Sequence, residues 1–146
     1  MIIAAITITN LLRARIAANE ASAAASIRTI NTAEITYQTN DPTTGFAASI
    51  ANLGGVAPWT AAIATACLID SNLSSGVKTG YNFTAAGTGG PPKTSYTANG
   101  KAVTANQTGV RAFCSFEDAV EDAVVRADPA GAGGTTSLAC GAFLPL

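Results

Sequence analysis

The chain contains no histidine. That removes the commonest general base and a frequent metal ligand, and with them any Ser–His–Asp arrangement. Charge is scarce as well: Asp, Glu, Lys and Arg make up 12% of the 146 residues, about half the usual share. A net charge of -1 leaves no electrostatic footprint for nucleic acid. No cysteine pair stands at the short spacing of a zinc site. The glycine-rich run at 87–92 lacks the Lys-Ser/Thr ending of a phosphate loop and reads as a plain turn. No long hydrophobic run exists either. Residues 1–9, "MIIAAITIT", fall far short of the roughly 20 apolar residues of a membrane span. They also lack the basic region of a secretory signal, and read as the remaining half of a longer hydrophobic helix. With catalytic groups this sparse, no enzyme and no cofactor is expected.

What is present is small, apolar and hydroxyl-rich. Apolar residues reach 48%, and Thr, Gly, Ser and Asn supply most of the rest. The length fits one domain with a real core. So little surface charge protects poorly against self-association, which is a hazard for a monomer and acceptable in a polymer. The aromatics Tyr37, Trp59, Tyr81, Phe83 and Phe113 read as core rather than as a ligand platform.

Cys67, Cys114 and Cys140 are the three cysteines. An odd count permits one disulfide and one free thiol. A Cys114–Cys140 bridge would tie a Gly-rich tail to a strand and is favoured over one using Cys67, although spacing leaves the connectivity open. A disulfide implies an oxidising, extracytoplasmic compartment.

Residues 10–38 hold no Gly and no Pro and predict one long helix. Ile16, Ala23, Ile27, Ile30 and Tyr37 fall near one face. Arg13, Arg15, Glu20, Arg28 and Glu34 are placed as polar positions elsewhere. Asp41-Pro42 should stop the helix near Asn40. A short helix over 47–53, ended by Gly54-Gly55, and a second over 61–72, starting after Pro58 with Thr60 as cap, complete the connecting region. Beyond Gly76 the pattern turns to strands: 77–87 with Tyr81 and Phe83 on one face, then 93–103 with an Asn99-Gly100 turn signal. Further strands are read at 109–116, alternating Val110, Ala112 and Cys114 against Arg111, Phe113 and Ser115, and near 123–127. Residues 129–142 are Gly-rich and read as irregular. The fold class is α+β, one long helix on a small antiparallel sheet.

Two clusters carry possible chemistry. Glu117, Asp118, Glu121 and Asp122 are the best calcium candidates, because hard oxygen ligands suit that ion. Their spacing matches no defined calcium loop, so a solvated loop is the favoured reading and no metal is expected. Asn72, Asn82 and Asn106 stand in N-glycosylation patterns, which arise often by chance in sequence this rich in Asn and Thr.

The segment "NLLRARIAANEASA" at 10–23, followed by "SIRTINTAE" at 26–34, resembles the N-terminal helix of the type IV pilins and pseudopilins. "GYNFT" at 80–84 and "TGVRAF" at 108–113 are similar to strands of bacterial pilins of this group. Two departures stand out. The basic leader, the Gly before the cleavage site and the Phe-Thr-Leu-Ile-Glu-like start of family precursors have no counterpart, so the chain is expected to be N-terminally incomplete and no residue takes the role of the family's early glutamate. Relatives also carry Pro where Thr9 stands, and Thr9 keeps its backbone donor.

The resemblance implies a structural subunit of a bacterial surface filament. Residues 1–24 would project as the filament-core half of the helix, and 25–146 would form the globular head. Contacts between copies would involve Ile2, Ile3, Ile6, Leu11, Leu12, Arg13, Ile16, Ala17, Glu20 and Ala24, with Arg13 and Arg15 pairing with Glu20 of a neighbour. Small residues such as Ala17 and Ala24 permit close helix approach. The implied partners are further copies of the chain, the inner membrane before assembly, and a separate ATP-driven assembly machine. A minor pilin or pseudopilin of a secretion or DNA-uptake system is the nearest alternative. A monomeric surface adhesin or binding module is the alternative from another class.

Overall fold

The computed structural model describes residues 3–55, 62–117, 123–133 and 137–146. A long helix, α1 (Ile3–Asn40), and two single-turn helices precede a six-stranded antiparallel sheet. The uninterrupted length of α1 follows from the missing Gly and Pro. Several threonines extend it at little cost, because Thr29, Thr32, Thr36 and Thr39 each donate a hydroxyl to the carbonyl one turn back. The stop at Asn40 is the expected one. Asp41 N–H closes the last turn on the Tyr37 carbonyl, and the Asp41 carboxylate accepts from the Thr43 and Thr44 hydroxyls to turn the chain away.

The strands run as a meander in chain order: β1 (Val77–Lys78), β2 (Tyr81–Thr88), β3 (Ser95–Ala102), β4 (Ala112–Glu117), β5 (Arg126–Asp128) and β6 (Leu144–Pro145). α1 lies across β2, β3 and β4. Ala23, Ile27, Ile30 and Tyr37 from the helix meet Tyr81, Phe83, Tyr96, Ala98 and Phe113 from the sheet, all of them buried. Trp59 lies outside the described residues.

The opposite face of the sheet has its own small cover. α4 (Ser137–Gly141) brings Cys140 against β4, where it bonds Cys114, with the Cα atoms 5.9 Å apart. Phe116 and Phe143 complete that cluster. β4 is therefore buried on both faces. Two-sided burial cancels the in-and-out alternation read from its sequence.

Several sequence expectations are corrected. No helix spans 62–70. Only α3 (Ser71–Ser74) forms, capped by the Asp70 carboxylate on the Leu73 N–H. The stretch before it is pinned outside helical pairing, with Cys67 at positive φ: Ala66, Cys67 and Leu68 N–H donate to the carbonyls of Asn52, Gly54 and Leu53. Pro58, Thr60 and Ala61 lie outside the described residues. α2 (Ile50–Leu53) occupies only the end of the predicted 47–53 helix. Gly54 there is extended rather than left-handed; it and Gly55 are required because a side chain would strike Ser74 and Cys67.

Asn99-Gly100 is not a turn. Both residues sit inside β3, paired with Thr84 and Phe83 of β2. Gly100 leaves room for the Phe83 ring, which a Cβ would meet at 2.9 Å. The turn is supplied instead by the run after Thr88, as expected for 87–92. A further tight hairpin, Thr79-Gly80 between β1 and β2, has both residues at positive φ, the signature of a primed two-residue turn. β5 begins at Arg126, three residues later than read, and the tail expected to be irregular contains α4 and β6.

Candidate assembly surface

Glu20 and Glu34 do not lie on the solvent side of α1. They share its buried face, at 7% and 0% exposure. The series 20, 23, 27, 30, 34, 37 is itself a helical stripe, so the two carboxylates belong with the apolar positions.

Packing against the sheet begins at Asn19. Asn19 Nδ2 donates to the Thr108 carbonyl at 2.8 Å. Glu20 Oε1 accepts from the backbone N–H of Val110 and Arg111 at 2.9 and 3.0 Å, and Oε2 pairs with Arg111 Nε at 2.8 Å. Ser22 Oγ shares a 3.0 Å hydrogen bond with Thr79 Oγ1. These contacts clamp the helix to the β1–β2 and β3–β4 loops. Burial pushes the Glu20 carboxyl up, but the two N–H donors and the guanidinium outweigh it and hold the group below its ordinary value. Burial, then the Glu20 charge, pushes the neighbouring Tyr81 hydroxyl up to about 12; that hydroxyl donates to the Arg111 carbonyl.

Before the clamp, the helix continues without cover from its own chain. Every side chain from 10 to 18 is exposed except the half-buried Ile16. Leu11 stands at 71% exposure and Leu12 at 42%. Arg13 and Ala17 are exposed beside them. Ile3 and Ile6 lie within α1, and Ile2 lies outside the described residues. Glu20 and Ala24 are buried within the chain, so neither faces outward, and the expected pairing of Glu20 with a neighbour's arginine is replaced by its bond to Arg111. The loops reach down the helix to residue 19, which moves the start of the packed half forward from residue 25.

Of the calcium candidates, Glu117 ends β4 and is half-buried; Asp118, Glu121 and Asp122 lie outside the described residues. No group of metal-holding side chains forms among the described residues. The favoured disulfide is the one present, and Cys67 is the free thiol. No helix among the described residues is long and apolar enough to cross a membrane.

Open clefts of about 310 and 340 Å³ flank the end of α1. The first is bordered by Tyr37, Asp41, Ile63 and Leu68, and its Tyr37 hydroxyl is already committed to the Ile63 carbonyl.

Comparison with known proteins returns no matching family model, no matching curated protein and no matching solved structure.

Proposed function

We propose that the chain is a structural subunit of a bacterial type IV pilus-like filament, assembled through the uncovered half of α1. The observation that carries this reading is that one continuous helix is packed on its own sheet from residue 19 onward and bare over 10–18. A helix presenting Leu11 and Leu12 to solvent, beside a half-buried Ile16, must bury them against lipid or further copies. The sequence there, "NLLRARIAA", is also where the resemblance to pilins is strongest. In the filament the bare helices bundle in the core and the heads form the shell. The contact is head-to-tail and does not close, so it propagates as a fibre. Before assembly the helix rests in the inner membrane, and the finished filament is extracellular, where the Cys114–Cys140 bridge persists. A pseudopilin role uses the same surface in a shorter assembly.

Electron microscopy of surface material from cells expressing the chain tests this directly. Long uniform fibres are expected, and short or capping assemblies would assign the pseudopilin role. Ile16→Asp or Ala17→Asp should abolish the fibres while circular dichroism shows the head still folded. Normal fibres from either variant, or an intact chain that stays single at high concentration, would sink the proposal.

A further inference from the structure

The α1–sheet interface contains a polar cluster that the filament reading does not use. Asn31 Nδ2 donates to Ser115 Oγ at 2.9 Å and to the Ala123 carbonyl at 2.8 Å. One turn on, Glu34 Oε2 accepts from the Ala47 N–H at 2.8 Å. Two buried oxygens along this stretch have no partner: Asn31 Oδ1 and Glu34 Oε1. Tyr96 is held by its ring, 4.8 Å from that of Phe46, and its hydroxyl feels the Glu34 charge.

Among the described residues the Glu34 carboxyl receives one hydrogen bond, from the Ala47 N–H. Tyr96 faces it from β3, Ser115 lies beside Tyr96 on β4, and Tyr37 follows on the next turn of α1. The nearby formal charges are Glu117, which acts on Tyr96, and Asp41, which acts on Tyr37; both are acidic. Among the described residues no lysine or arginine forms a salt bridge with Glu34. As a carboxylate it would place a charge in the core with one backbone donor and one bare oxygen, beside further oxygens. As a carboxylic acid it leaves no net charge in the core.

We propose that Glu34 is a proton switch in the packing of α1 on the sheet: its seat accepts the acid and resists the carboxylate, so the head tightens as pH falls through neutrality and loosens as pH rises. Burial pushes this carboxyl up to about 7, against the downward pull of the Ala47 N–H. In the unfolded chain the same group loses its proton near its ordinary value of 4.5. Between those values only the unfolded state ionises, so stability declines as pH rises across that window. The chain has no histidine, and Glu20, Asp41 and Asp70 are held below the ordinary range. The switch is independent of the filament reading, since it acts within one copy.

The test combines carbon-13 titration of the glutamate carboxyls in the full chain with unfolding curves for the wild type and Glu34→Gln. The Glu34 carbon should titrate near neutrality. The wild-type unfolding constant should rise on the order of 100-fold between about pH 5 and about pH 8, whereas Glu34→Gln should change only a few-fold. A Glu34 carbon titrating at an ordinary glutamate value, or a variant whose pH profile parallels the wild type, overturns the proposal. If Glu34→Gln fails to fold, the carbon titration of the wild type decides alone.

Discussion

At the base of the head, Glu20 receives two backbone N–H groups and a guanidinium. Farther along the same face of the same helix, Glu34 receives a single N–H and, among the described residues, no cation. The first is a buried charge kept because loops reach down to supply its partners; the second is a buried carboxyl left where the core has closed around it. Burial alone therefore does not decide what a carboxyl does. The donors that the neighbouring backbone can spare decide it. One residue anchors the point at which the helix leaves the head, and the other makes the packing beyond that point answer to pH.

The comparison breaks most severely at the apolar seat between the two glutamates. Ile27 is fully buried, and Ile27→Ala should cost about 3 kcal/mol of head stability by denaturant unfolding. A much smaller loss would mean that the glutamates, not the apolar stripe, hold the helix down. Glu34 supplies the next effect. Its displacement from 4.5 to about 7 corresponds to about 3 kcal/mol of stability at most, fully present below the lower value and lost as pH rises to the upper one. Glu20 works in the other direction. Its contribution is present above the ordinary glutamate range and is lost as pH falls through its depressed folded value. Glu20→Gln should cost about 2 kcal/mol near neutrality, because the Val110 and Arg111 N–H groups lose a charged acceptor, and should flatten the acid side of the stability profile while leaving the neutral side intact. The smallest effect belongs to the bare half of the helix. Leu11→Asp should change head stability by less than about 0.5 kcal/mol and still remove fibres in electron micrographs.

Much of this architecture was legible in the residues. The missing Gly and Pro marked the helix, Asp41-Pro42 marked its end, and the tail cysteine pointed to its strand partner. Ile27, Ile30 and Tyr37 were readable as core from their spacing. Where reading failed, a tertiary contact had taken over a local signal. Gly100 looks like half of a turn and serves as a gap for Phe83. Residues 62–70 carry helix-forming alanines, yet the N–H groups of 66–69 bond to the end of α2 and to Gly54. The strand at 112–117 loses its alternation because α4 covers the face that would otherwise meet water. Glu20 and Glu34 read as polar by residue type, although their numbering places them on the buried stripe. The point where the sheet begins to cover the helix, at residue 19, depends on loops whose reach no local pattern encodes.

The bridge at Cys114 has a consequence for how the protein can vary. β4 carries the helix on one side and the tail on the other, and the tail is fastened to it by one covalent bond. The chain beyond β5 is thus stitched to the sheet through Cys140 before its last residues return to the sheet edge as β6. Substitutions or insertions there should leave the helix in the same seat as long as the seam at Cys140 holds.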